Sequence, residues 1–262
     1  MSMLQKKLLH YIGRAIADFN MIQTGDRVLV CVSGGKDSVV LAQLLKCLEM
    51  RTHKKFEVFA LMVDVGIPDW NSEPCCDWFK EHQIPFAVVR QDIFQIVQSK
   101  IKPGKSYCPL CARLRRGVIY RYAREHGFKK IALGHHRDDL IETLLMSILY
   151  SGAIRSMPPK LLTDDKRHVV IRPMVYCQEK DIQTYANEQG LPLMSKGLCQ
   201  EKENTTRRAI KKLIHELAKK NTKVPSNMLN AVQNLSPSQL MDQQFWDFRH
   251  LENLLDLELT SK

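Results

Sequence analysis

Five short apolar runs, rich in β-branched residues, recur along the first two thirds of this 262-residue chain, at 27–32, 57–64, 85–90, 130–134 and 168–172. Each is bounded by turn-forming residues and is too short for a helix, which marks it as a strand. Between most of them the apolar positions fall at the three- and four-residue spacing of one helix face, over 37–50, 73–83, 109–126 and 139–150. Another such pattern opens the chain, from Met1 to Phe19, with Lys6, Lys7, His10, Arg14 and Asp18 among its apolar residues. Strand and helix in alternation predict an α/β fold, a five-stranded parallel sheet with helices on both faces. Past about Leu193 the strand signals stop, and helical spacing returns at 204–220 and 239–256 around a looser, Pro-containing stretch, 221–238. The chain is therefore divided into a sheet domain, 1–193, and a small helical extension, 194–262. It shows no internal repeat and no low-complexity tract.

Composition changes this picture mainly through charge. Apolar residues make up 44% of the chain, enough for an ordinary core. No stretch approaches the roughly 18–20 apolar residues of a membrane span. The N-terminal segment lacks the apolar centre and cleavage site of a secretory signal, so a cytoplasmic location is expected. Lys and Arg number 39 against 28 Asp and Glu, a net charge of +11. Between Lys100 and Lys130 stand ten basic residues and one acid, Glu125, and a second basic stretch runs from Lys196 to Lys223. A solvated helix face is the plainer reading of such charge. Two separated clusters are more than a small anion requires, and they point to nucleic acid.

The first strand runs straight into Val32-Ser33-Gly34-Gly35-Lys36-Asp37-Ser38. Strand, glycine turn and helix start form a setting that grips phosphate. Adjacent glycines let the backbone approach an anion, and the exposed N–H groups of the next helix carry about half a positive charge toward it. Lys36 adds a full charge, and Ser33 and Ser38 add hydroxyl donors. The spacing is neither that of the common nucleotide P-loop nor that of dinucleotide folds. It resembles the loop of the ATP pyrophosphatases, which bind the β,γ-diphosphate of ATP and release it whole. Ligands of parallel sheets bind beyond the carboxyl ends of the strands. Two further polar groups fall there: Asp64 ends the second strand, and Gly134-His135-His136-Arg137-Asp138-Asp139 follows the fourth.

Of eight cysteines, Cys31, Cys47, Cys75, Cys76 and Cys177 read as small buried or isolated thiols. Cys108-Pro109-Leu110-Cys111 is different, since a Cys-x-x-Cys turn brings two thiolates to one ion or permits redox chemistry. Arg113, Arg115 and Arg116 follow at once and, with the helix N-terminus, favour thiolate. Cys199, at the hinge into the basic C-terminal helix, is the best third thiol. Three thiolates suit an iron–sulfur cluster with one iron left open, or a zinc site whose fourth ligand is not evident, while the pair alone suits redox chemistry.

These segments, together with Ala15 to Ile22, Cys108 to Gly117, Leu133 to Asp139, Met157-Pro158-Pro159-Lys160 and Ile171-Arg172-Pro173, resemble the tRNA 2-thiocytidine synthetases. That family is the cluster-dependent branch of the ATP pyrophosphatase thiolases, and the resemblance spans about Leu4 to Phe248. It implies a PP-loop fold of five parallel strands, a [4Fe–4S] cluster on Cys108, Cys111 and Cys199, and ATP with Mg²⁺. It also implies thiolation of cytidine 32 in the anticodon loop of tRNA, with sulfur drawn ultimately from a cysteine desulfurase. Two features depart from the pattern. Lys196 stands where many relatives carry a further cysteine, and Val65 to Cys76 differs from the usual sequence.

On this reading Ser33 to Ser38 bind ATP, with Asp64, Gly134 and His135 on the nucleotide. Asp138 or Asp139 holds Mg²⁺ or positions the α-phosphate, and one of the two caps the following helix. Arg115, one turn past Cys111, faces the cluster. Arg113, Arg116, Arg207, Arg208, Lys211 and Lys212 grip RNA phosphates. His135 and His136 also read as packed, hydrogen-bonded histidines. The oligomeric state is left open, a homodimer being one arrangement allowed. Two rival functions are a cluster-independent PP-loop ligase or persulfide thiolase, and a non-catalytic, zinc-stapled RNA-binding protein.

Overall fold

A computed structural model describes residues 1–53, 55–68, 70–100, 108–192 and 205–255. Helix α1 (Met3–Asp18) is capped by Ser2, whose Oγ accepts from Gln5 N at 3.1 Å, and buries Leu8, Leu9, Ile12 and Ala15. Then follow β1 (Arg27–Val32), α2 (Lys36–Arg51), β2 (Glu57–Asp64), α3 (Glu73–Glu81), β3 (Phe86–Arg90) and α4 (Ile93–Lys100). Next come α5 (Cys108–Glu125), β4 (Lys130–Ala132), α6 (Arg137–Ser151), β5 (Lys160–Leu162), β6 (Val169–Ile171) and α7 (Glu179–Glu188). The last α-helices described are α8 (Thr205–Lys220) and α9 (Val224–Ala231).

The strands form one sheet in the order β3-β2-β1-β4-β6-β5. All neighbours are parallel except β5, which runs antiparallel to β6. The five expected strands are present, but the all-parallel, five-stranded sheet is corrected to six with an antiparallel edge. The sixth, Lys160–Leu162, is too short to display a period of two. It is created by a hairpin in which Thr163 N donates to His168 O at 2.9 Å and Lys166 takes a φ of 57°.

Both faces of the sheet are covered. Val28, Val30 and Val32 of β1 join Val58, Ala60 and Met62 of β2 in a core with α1, α2, α3, α6 and α7. The alternate residues Leu29, Cys31, Leu61 and Val63 join Ile93, Val97, Val118 and Ile119 of α4 and α5 in a second core. This double burial explains why the strands read as continuous apolar runs. Ile210 and Ile214 of α8 and Leu229 of α9 belong to the first core. Lys160, from the Met-Pro-Pro-Lys segment, donates from Nζ to Asn20 O at 2.6 Å and ties the end of α1 to the sheet edge.

Over the described part of the helix expected at 239–256, residues 239–255, no α-helix forms, and the largely exposed segment 237–255 contains only short 3₁₀ turns. Asp242 and Asp247 accept from Gln244 N and Arg249 N at 2.9 and 3.1 Å, local bonds that compete with helix. Conversely α4, α7 and α9 are additional, and α9 lies within the stretch expected to be loose. Among the described residues no helix is long and apolar enough to cross a membrane.

Candidate active site

Sequence order passes from β1 outward to β2 and β3, then returns to place β4 on the other side of β1. The gap beyond β1 and β4 is thus the switch point of the sheet, where crossover connections leave in opposite directions and a crevice opens. Both loops of interest emerge there. After Val32 the chain turns through Gly34, at φ 85°, a conformation that strongly favours glycine. Gly35 then begins α2 without a side-chain cap, leaving backbone N–H groups at the helix head for an anion. The turn is braced internally. Ser33 N donates to Ser38 Oγ at 3.0 Å, the two hydroxyls lie 3.2 Å apart, and Ser38 Oγ donates to Gly35 O at 2.9 Å.

Gly134, after β4, lies directly against this turn. A Cβ there would stand 3.0 Å from Ser38 N and 3.1 Å from Ser38 Cα, so the close approach requires glycine. The next residues split in role. His135 is half-buried, and its Nδ1 accepts from Arg172 Nε at 3.2 Å. Burial first, and the Arg172 charge second, lower its pKa to about 4, so the imidazole is neutral at physiological pH, with its proton on Nε2. His136 is buried between the first turns of α2 and α6. Its Nε2 lies 3.7 Å from Asp37 Oδ1 and 3.5 Å from Asp139 Oδ2, and its Nδ1 lies 3.9 Å from Asp138 Oδ2.

The two aspartates divide the work left open by the sequence. Asp139 caps α6, accepting from His136 N at 3.1 Å, and pairs with Arg207 Nη1 at 3.2 Å. Asp138 instead accepts from Glu179 N at 2.8 Å, at the head of α7, and pairs with Arg137. Asp37 Oδ1 is buried and accepts no hydrogen bond, although Lys36 Nζ lies 3.2 Å away. Hard carboxylate oxygens so placed suit Mg²⁺. Among the described residues no three His, Cys, Asp or Glu side chains form a ready metal site. Asp64 is turned to its own loop, accepting from Gly66 N at 2.8 Å.

Helix α5 approaches the same edge from the other face. Cys108 is its first residue, and half-buried Cys111 packs on the second core one turn later. Arg115, a turn further on, donates from Nη2 to Val32 O at 3.2 Å, tying this part of the helix to the residue that opens the phosphate loop. Its Nε is buried without a hydrogen-bond partner, an unsatisfied donor suited to an anionic group. Arg113 and Arg116 are exposed. Cys199 lies outside the described residues. The other thiols behave as packing groups: burial pushes Cys31 up to about 12 and Cys75 up to about 11.

The C-terminal helix brings basic residues to the site rather than only to solvent. Arg207 reaches Asp139 and, at 3.8 Å, Glu142 Oε2, while Lys211 Nζ lies 2.6 Å from Glu179 Oε2. Arg208 and Lys212 are exposed and line, with Lys180 and His215, a groove of 710 Å³ that reaches Asp138. Glu142 is 5% exposed, and burial raises its carboxyl to about 7 against the pull of Arg207. Sequence reasoning did not single out Glu142, Arg172 or Glu179. Arg172 sat within a quoted motif, whereas Glu142 and Glu179 carried no local signal.

A parallel sheet with this glycine loop at its switch point defines a PP-loop protein, and residues 4–217 match the PP-loop domain family. A tRNA-cytidine(32) 2-sulfurtransferase of Legionella pneumophila (strain Paris) is 58% identical over 97% of this chain and 90% of its own length. Proteins of the same description from Coxiella burnetii (strain RSA 493) and Methylococcus capsulatus are 56% and 45% identical, over 94% and 96% of this chain and 96% and 87% of theirs. The chain belongs to the tRNA-cytidine(32) 2-sulfurtransferases, within the PP-loop family. The fold is also that of the U34-tRNA thiolase NcsA from Methanococcus maripaludis, solved with its [4Fe-4S] cluster. That likeness has a TM-score of 0.71 at 19% identity, covering 88% of this chain and 78% of the other.

Proposed function

We propose that this chain is the ATP-dependent enzyme that replaces the C2 oxygen of cytidine 32 in tRNA by sulfur, giving 2-thiocytidine, in the cytoplasm. The observation that carries the reading is 58% identity over 97% of the chain to a protein described by that reaction. The geometry supports the ATP-dependent step. Oxygen on C2 of cytosine leaves poorly, and transfer of AMP from ATP to that oxygen, with loss of diphosphate, makes AMP the leaving group. The N–H groups at the head of α2, the Lys36 ammonium and the hydroxyls of Ser33 and Ser38 are placed to hold the charge of the departing diphosphate. Asp138 or Asp139, with Asp37 nearby, would hold Mg²⁺ together with the phosphates. Neutral His135 would offer Nε2–H to the nucleotide, since Arg172 occupies its other nitrogen.

Cys108, Cys111 and Cys199 would hold a [4Fe–4S] cluster, which when bound supplies at its open iron the sulfur that joins C2. The unsatisfied Nε of Arg115 would meet negative charge beside those thiolates. Arg113, Arg116, Arg208 and Lys212 would hold phosphates around the anticodon loop, whose unstacked bases enter a pocket at low cost. Residues 194–262 would then be an extension carrying the third thiol and part of the RNA surface. A cysteine desulfurase would provide the sulfur.

The deciding measurement is nucleoside mass spectrometry of tRNA from cells with and without the gene. Loss of 2-thiocytidine is expected, and loss of 2-thiouridine instead would move the target. Anaerobically purified protein is expected to contain iron and acid-labile sulfide and to absorb broadly in the visible, all lost on Cys108→Ala. A colourless protein with one zinc would remove the cluster from the reading.

A further inference from the structure

Lys36, the cation of the phosphate loop, is paired across the site. Its Nζ lies 3.5 Å from Oε1 of Glu179, the first residue of α7, and 3.2 Å from Oδ1 of neighbouring Asp37. The Glu179 carboxylate is also held from the opposite side by Lys211 of α8, at 2.8 Å from Oε1 and 2.6 Å from Oε2. One carboxylate is thus divided between the ATP-facing lysine and a lysine of the basic C-terminal helix. The side chains of Lys36 and Glu179 are 17% and 27% exposed, so their attraction is less screened than that of a surface pair. Asp37 belongs to the same first turn of α2 as Lys36. Glu179 comes from a different element, with its N–H donated to Asp138, and is fixed independently of the loop.

An anion in that position competes with phosphate. The Glu179 carboxylate draws Lys36 toward itself and offsets the charge that Lys36 would present to the diphosphate of ATP. How strongly Glu179 holds Lys36 depends on Lys211, because a carboxylate neutralised by one ammonium attracts a second less. We propose that Glu179 is a positioning residue that sets the affinity of Lys36 for diphosphate, and that Lys211 modulates it from the RNA-facing helix. When an RNA phosphate draws Lys211 away, the Glu179 charge falls on Lys36 and loosens its hold on diphosphate. The RNA-bound enzyme therefore releases diphosphate more readily, and by linkage ATP and RNA weaken each other's binding through this triad. The inference rests on the reading of Lys36 as a phosphate ligand and of α8 as RNA-facing.

The test is calorimetric titration of the full-length chain with an α,β-methylene analogue of ATP. Wild type, Glu179→Gln, Lys211→Met and the double variant form a cycle. Glu179→Gln is expected to tighten analogue binding by about three- to tenfold, and Lys211→Met to weaken it by a similar factor, the range of coupling between contacting charged residues. In the Glu179→Gln background the Lys211→Met effect should fall to about twofold or less. A saturating tRNA anticodon stem-loop should weaken analogue binding in wild type and much less in Glu179→Gln. Equal effects of Lys211→Met in both backgrounds, or an equal effect of the stem-loop, would overturn the proposal. Failure of the wild type to bind the analogue at all would instead overturn the phosphate-loop reading beneath it.

Discussion

A methyl group at position 134 would press on the backbone of Ser38, the residue that braces the phosphate loop. Backbone on both sides leaves no flexible side chain to yield, and overpacking of this kind costs about 1–3 kcal/mol. Gly134→Ala is therefore expected to weaken ATP binding by about tenfold or more, read by titration, with a lower melting temperature. Wild-type affinity would show that the turn can shift without loss. Two titratable groups nearby, buried Glu142 and half-buried His135, act in opposite directions on stability. Glu142 is raised from 4.5 to about 7 by burial, so over that range the unfolded chain has lost a proton the folded chain keeps, and stability falls as pH rises. His135 is lowered from 6.5 to about 4, so the unfolded chain binds the extra proton and stability falls as pH drops through that window. Glu142→Gln should remove the alkaline-side loss and leave the acid-side one, as urea denaturation across pH would show. Neither shift could be read from the sequence, because both depend on burial and on Arg207 or Arg172 arriving from distant parts of the chain.

The long elements were legible because their patterns were long. β1 and β2 are apolar on both faces, and α1, α2, α5 and α6 repeat their apolar stripe over several turns. β5 has three residues and depends on its partner strand, while α7 owes its place to Ile182, Tyr185 and Ala186 packing on the first core. The segment 239–255 shows the converse: its aromatic and aliphatic residues mimic a helical stripe, yet most of them stand exposed. α8 is the element whose placement matters most, since its apolar side seats Arg207 and Lys211 on the acids of the site. Ile210, at 2% exposure, anchors it. Ile210→Ala is expected to cost about 2–4 kcal/mol in chemical denaturation. It should also weaken ATP-site organisation, seen as loss of the Lys211→Met effect on analogue binding. Full stability of the variant would mean that α8 is held by its ion pairs alone.

For the whole molecule, a net charge of +11 predicts salt-dependent association with RNA, and the structure selects which cations can supply it. Arg207 faces Asp139 and Glu142, so its reversal would gather three carboxylates and confound a binding measurement. Arg208→Glu with Lys212→Glu is the cleaner probe, because both side chains are exposed on the groove. Weaker tRNA binding is expected, with a slope of log K against log salt shallower by about one to two. An unchanged slope would place the RNA elsewhere. By itself the sequence determined the α/β layering, the phosphate loop, the cysteine pair and the basic excess. Each of these is written in residues close together along the chain. Only the tertiary structure decided that Asp139 caps while Asp138 joins α7, that His135 is neutral, and that Glu179 stands between Lys36 and Lys211. Those outcomes depend on contacts between residues up to 143 positions apart in the chain, and such contacts exist only once the sheet has brought its loops to one edge.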